Sequence, residues 1–156
     1  MTPFFTSSPR ATAQLGADFA RRLHRLPPAL SLVVGVQGEL GSGKTTFLRG
    51  LLRGLGVRGK VTSPTFTLVR KFSSPLLASH TVVHIDAYRL SPKEGTRAYF
   101  RELLDLPHAL FLVEWPEHIA RLLPRDRVRV RLSYGETPQV RKITIAIPPS
   151  LRRVLR

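Results

Sequence analysis

Apolar positions along the chain switch period several times, and each switch marks an element. From Thr12, the residues Leu15, Phe19, Leu23 and Leu26 recur at helical spacing until Pro27-Pro28 forbids continuation, which predicts a first helix. Leu30 to Val36 is a β-branched apolar run of the kind buried on both faces of a parallel sheet. Helical spacing returns at Phe47, Leu48, Leu51, Leu52 and Leu55, with Gly54 and Gly56 placed to end the helix. Val61 and Thr65 to Lys71 read as short strands parted by Ser63-Pro64. Thr81 to Asp86 and Leu110 to Val113 are further apolar strands, the first ending in Asp86 and the second followed by Glu114. Between them, Tyr99, Phe100, Leu103 and Leu104 predict a short helix stopped by Pro107. Strict alternation in Arg127 to Leu132 and Val140 to Ile147 predicts antiparallel strands at a half-exposed edge.

Together these elements predict an α/β chain with a mixed, mostly parallel sheet, helices on both faces and antiparallel C-terminal strands. Its 156 residues, 42% hydrophobic, suffice for one core, so a single domain over 1–156 is expected, with residues 1–10 as a loose leader. Apolar runs of strand length are too short to cross a bilayer, and the N-terminus lacks the apolar centre of a secretory signal. Without cysteine there is neither a disulfide framework nor a thiolate metal site, which fits a cytoplasmic location.

Chemistry enters at the turn between the first central strand and the second helix. Gly38-Glu39-Leu40-Gly41-Ser42-Gly43-Lys44-Thr45 is a complete P-loop in the context that motif requires, strand before and helix after. Its glycines let backbone N–H groups face a phosphate, and the helix adds the positive end of its dipole. Lys44 then reaches the β- and γ-phosphates, Thr45 offers a hydroxyl to Mg²⁺, and Thr46 is a further donor. Asp86 and Glu114 each stand at the carboxyl end of a strand, where ligands bind in open α/β sheets, and both are candidates to hold the metal or orient an attacking water. Ser63, Pro64 and Thr65 have the composition of a loop that approaches a γ-phosphate. Trp115 reads as a core or lid residue, and His84 and Tyr88 as flanking groups able to order Asp86.

Charge widens the list of partners. Lys and Arg number 25 against 10 Asp and Glu, a formal net charge of +15. Such a surplus favours a polyanion, nucleic acid first, although an arginine-rich solvated surface gives the same total. Three function classes follow: a nucleotide hydrolase, a small-molecule kinase on the same scaffold with Arg97 and Arg101 as lid arginines, or a basic RNA-binding module with nucleotide affinity.

Four segments in order, GELGSGKTTF at Gly38 to Phe47, SPTFTLV at Ser63 to Val69, HIDAYRL at His84 to Leu90 and EWPE at Glu114 to Glu117, resemble the TsaE (YjeE) family. That family is the small P-loop ATPase of bacterial tRNA threonylcarbamoyladenosine synthesis. The resemblance implies a three-layer P-loop NTPase fold that binds ATP/ADP and Mg²⁺ and works with a TsaD-type transferase and a TsaB-type companion on the adenosine next to the anticodon. It further implies Thr12 near the nucleotide base, Thr45 and Glu114 at Mg²⁺, Asp86 as catalytic acid, and Ser63 to Thr65 as a switch-like loop. Between Arg89 and Leu110 this chain departs from the family's acidic stretch.

Overall fold

The computed structural model describes residues 2–58, 68–77, 79–90 and 94–155, the side chains of 94–96 excepted. Among the described residues seven strands form one sheet: β1 (Phe4–Thr6), β2 (Leu32–Gly38), β3 (Val69–Ser73), β4 (Thr81–Asp86), β5 (Ala109–Glu114), β6 (Val128–Tyr134) and β7 (Arg141–Ala146), in the order β1-β7-β6-β2-β5-β4-β3. The pairings β4–β5, β5–β2 and β2–β6 are parallel, while β3–β4, β6–β7 and β1–β7 are antiparallel. Among the described residues three α-helices, α1 (Pro9–Leu23), α2 (Lys44–Gly54) and α3 (Glu94–Leu104), accompany the sheet, with two short 3-10 turns at Pro116–Ile119 and Pro149–Leu151.

Alternation along the central strands sorts their side chains into two cores. Leu32, Val34 and Val36 of β2, with Leu110 and Leu112 of β5, pack against α1 and α2. Val33, Phe111 and Val113 instead meet Phe100 and Leu103 of α3. Both faces of the central strands are therefore dry, which is why they read as unbroken apolar runs, and the result is the expected three-layer α/β arrangement.

Three expectations are revised. Residues 1–10 are not simply a leader, because Phe4–Thr6 pair with β7 and α1 already begins at Pro9. Ser8 accepts a hydrogen bond from Ala11 N–H at 3.1 Å, and Pro9 occupies the first helical position, where its missing N–H is harmless. The Ser-Pro pair is thus a helix start. The helix also ends earlier than Leu26, which is nonetheless buried in the following turn. Nor is β6–β7 the sheet edge: β6 lies inside against β2, and β1 is the margin. Their half-exposed pattern arises from a face, with Val128, Val130, Leu132 and Ile143 buried against the α1–α2 layer and Arg129, Arg131 and Lys142 exposed on the other side. The segment around Val61 and the beginning of the Thr65 to Lys71 strand lie outside the described residues, and β3 starts at Val69.

Helix α2, which carries the P-loop lysine, is held by α1 at backbone distance. A Cβ added at Gly50 would lie 1.8 Å from Ala13 O, and one at Gly16 would lie 2.1 Å from Phe47 O. Neither obstruction is a side-chain end that could swing away. Gly50→Ala is expected to force the helices apart and lower stability by about 2–3 kcal/mol, despite alanine's better helix propensity. A urea unfolding midpoint equal to wild type would refute this close approach.

Candidate functional site

The loop between β2 and α2 turns through three glycines with positive φ, Gly38 at 150°, Gly41 at 74° and Gly43 at 98°. Gly43 is the N-cap of α2 and makes no side-chain cap bond, so the first helical N–H groups have no protein side chain capping them there. Oriented donors at a helix start form an anion site. Ser42 is fully buried behind the loop, and its Oγ has no partner among the described residues.

Two residues from the far hairpin fix the outer side of this loop. Tyr134 Oη donates to Leu40 O at 3.0 Å, and an Arg141 amino group donates to Gly41 O at 3.2 Å. Arg141 also lies over the Tyr134 ring, 4.4 Å from its centroid. Both bonds hold carbonyls on the outer side. Neither residue was singled out in the sequence, where both lie more than ninety positions from the loop.

Lys44 opens α2 and is buried. Its ammonium donates to Gly38 O and Glu39 O, each at 2.8 Å, and sits 3.6 Å from the centroid of the Trp115 ring. Burial pushes its pKa below the ordinary lysine value, while Glu114, Glu117 and Asp86 act to raise it. Trp115 is therefore placed at the lysine. A positive φ of 56° lifts it out of the line of β5, and its N–H donates to Val36 O at 3.2 Å.

Parallel register brings the acids together. Asp86 of β4 is directly opposite Glu114 of β5, which is opposite Val36 of β2 just before the P-loop. Because side chains alternate, Asp86, His84 and Glu114 share the face occupied by α2. Glu114 is only 2% exposed and is held at both oxygens: Thr45 Oγ1 donates to Oε2 at 2.8 Å, and His84 Nε2 lies 3.0 Å from Oε1. His84 thus orders Glu114 and not Asp86, as the sequence had suggested. Tyr88 does act on Asp86, whose Oδ1 accepts from Tyr88 N–H at 3.1 Å.

Leu40, Thr46 and Arg49 join Lys44, Thr45, Asp86 and Glu114 around a hollow of about 410 Å³, with Trp115 as one wall. Thr12 is buried behind the loop instead: a Cβ added at Gly43 would lie 3.6 Å from its methyl group. Its hydroxyl bonds Thr6 Oγ1 at 2.7 Å and Ser8 O at 3.2 Å, so it is turned toward the N-terminal strand. Glu39 borders a neighbouring hollow. Ser63, Pro64 and Thr65 lie outside the described residues.

The polar groups around the hollow include an ammonium, a guanidinium, hydroxyls and two carboxylates. Among the described residues no three His, Cys, Asp or Glu side chains cluster as a metal cage. A hydroxyl and carboxylates are hard oxygen donors, of the kind that complete the shell of a magnesium ion brought on a polyphosphate.

The family model for the threonylcarbamoyl adenosine biosynthesis protein TsaE matches residues 6–143. The tRNA threonylcarbamoyladenosine biosynthesis protein TsaE of Streptomyces coelicolor is 43% identical over 131 residues, covering 82% of this chain and 87% of that protein. Its namesake in Haemophilus influenzae is 36% identical over 126 residues, 78% of this chain and 75% of that one. Among solved structures, YdiB of Bacillus subtilis superposes with a TM-score of 0.72 over 98% of this chain and 90% of its own, at 24% identity. That likeness bears on the fold.

Proposed function

Since the chain belongs to the TsaE family, we propose that it serves the formation of threonylcarbamoyladenosine on tRNA as a magnesium-dependent ATPase, acting with TsaD-type and TsaB-type proteins in the cytoplasm. The observation that carries the reading is the Thr45–Glu114–His84 chain beside Lys44. A P-loop that merely bound phosphate would have no need of a carboxylate fixed at both oxygens next to its threonine. Among the described residues no helix is long and apolar enough to cross a membrane.

In this proposal Lys44 and the loop N–H groups bind the phosphates of ATP, Thr45 and Glu114 hold Mg²⁺, and Asp86 stands where it can hold the metal or orient a water. Magnesium, when bound, neutralises charge on the phosphates. Protein groups then need only position the nucleotide and exclude stray water. Adenine as the base is part of the proposal; Thr12 packs behind the loop with its hydroxyl turned to Thr6 and does not bear on it. The kinase alternative has weaker footing: Arg97 lines a hollow with His118 and Arg121 that shares no residue with the phosphate hollow.

Phosphate release from ATP, measured for the chain alone and with the two partner proteins, tests the reading. Hydrolysis should rise in the complex and vanish when EDTA removes magnesium. Transfer of phosphate to a metabolite, or full tRNA modification without hydrolysis, would refute it.

A further inference from the structure

We propose that the open face of β1, β7 and β6 binds an unpaired stretch of RNA, an inference that rests on the reading of the chain as a tRNA-pathway protein. The α1–α2 layer covers one side of these strands, and α3 and its neighbours cover only the centre of the other. Register places Arg129, Arg131 and Ser133 of β6 on that uncovered side, next to Ala146, Thr144 and Lys142 of β7. Phe5 of β1 stands opposite Lys142 and is 62% exposed. Gln37 of β2 stands opposite Arg131.

Of these groups, Gln37, Arg131, Ser133, Lys142 and Thr144 line a hollow of about 630 Å³, with Trp115 separating it from Lys44. Its acids, Glu39 and Glu117, share it with Arg131 and Lys142, and Arg129, opposite Gly35, extends the basic track along β6 away from the P-loop. Among the described residues Arg129, Arg131 and Lys142 form no ion pair. Gln37, with its amide oriented to satisfy both groups, accepts from two Arg131 nitrogens at 3.0 and 3.1 Å, which steadies the guanidinium without neutralising it. Crowding of like charge is already felt next door, where burial and then Arg129 lower the Arg127 pKa. A steadied, uncompensated guanidinium fits a phosphate oxygen pair.

An acidic protein would also answer the charge, but the composition of the face favours RNA. Protein interfaces have apolar centres, whereas this face offers cations, hydroxyls and an amide around one exposed ring. An open sheet presenting an aromatic among basic groups is how unpaired bases are stacked while their phosphates are held.

Binding of a fluorescent unmodified tRNA transcript across a salt series tests the proposal. The variant R129Q/R131Q/K142Q should bind at least about ten-fold more weakly, with the log–log salt slope reduced by about 2, from ~0.7 per lost contact to an unpaired strand. Phe5→Ala should weaken binding by about ten-fold and leave the slope unchanged. The equally basic helical layer supplies the control, R10Q/R22Q/R53Q, which should change affinity less than three-fold, about the effect of diffuse charge. Equal losses in the two triple variants, or unchanged binding in the first, would overturn the proposal. So would a face variant that keeps RNA affinity but no longer co-purifies with a TsaD-type protein. ATP affinity, measured on the same samples, should match wild type in all three variants. Wild-type protein that binds RNA as stated but not ATP would defeat the ATPase reading and leave the RNA face standing.

Discussion

Lys44→Ala is expected to raise the dissociation constant for ATP by more than ~100-fold and to abolish hydrolysis and tRNA modification, while the far-ultraviolet circular dichroism remains that of a folded chain. The reasoning starts from burial. An ammonium removed from bulk water and held by two carbonyls of the loop is a fixed positive charge at the helix start, and charge-assisted bonds in such a site far exceed those in water. Alanine removes that charge without placing a new group in the hollow. The same burial sets a pH signature. Desolvation lowers the Lys44 pKa despite the three nearby carboxylates, so the free protein loses this proton below the ordinary lysine value of about 10.4. In the proposed function ATP binds the charged form, so its affinity should fall as pH rises through that lowered pKa. Lys44→Arg keeps its charge throughout and should lack this alkaline fall, even if its larger head binds less well. Titration calorimetry across alkaline pH checks both statements; identical profiles for lysine and arginine would contradict the assignment.

Glu114→Ala should damage the protein twice, once in its chemistry and once in its stability. In the proposed function Glu114 holds magnesium, so hydrolysis should fall by ~100-fold or more, with the magnesium concentration for half-maximal rate shifted upward. The substitution also strands the buried donor His84 and takes the acceptor from the half-buried Thr45 hydroxyl. Thr45 Oγ1 and His84 Nε2 lose their acceptor, and His84 already has Nδ1 without a partner among the described residues. A stranded buried group costs about 1–3 kcal/mol, and unfolding free energy should drop by about that amount. Glu114→Gln separates the effects. Its amide oxygen can still accept from one neighbour, so stability should recover in part while hydrolysis stays low. A glutamine variant with wild-type hydrolysis would remove Glu114 from the metal site. His84→Ala should share the loss of stability but only part of the loss of activity, because it positions the carboxylate and does not touch the nucleotide.

Local signals explain what could be read from the chain before its structure. The P-loop spans adjacent residues whose glycines have a backbone reason to be there, and strand-end acids follow from apolar runs that stop at Asp86 and after Val113. Partners fixed by register were not legible. That His84 serves Glu114 depends on β4 lying parallel to β5 in one particular alignment, and nothing in the spacing of the two residues states it. Tyr134 and Arg141 reach the P-loop because β6 runs parallel to β2 and β7 returns beside β6, a long-range consequence of the sheet order. The start of α1 failed for another reason: Ser8-Pro9 carries a clear cap signature, but the apolar periodicity begins only after it. Thr12 was placed near the nucleotide base by resemblance alone, and the direction of its hydroxyl was not legible, since that is set by Thr6.

The backbone contact between α1 and α2 has a mechanical meaning. Where side chains separate two helices, a small displacement is absorbed by changes of rotamer. Here Gly16 and Gly50 leave main-chain atoms against main-chain atoms, and no rotamer is available to yield. Any shift of α2 that accompanies loss of a phosphate must therefore carry α1 with it, and through the Thr6–Thr12 bond it pulls on the outermost strand that bears Phe5, so the two helices act as a lever between the phosphate loop and the margin of the sheet.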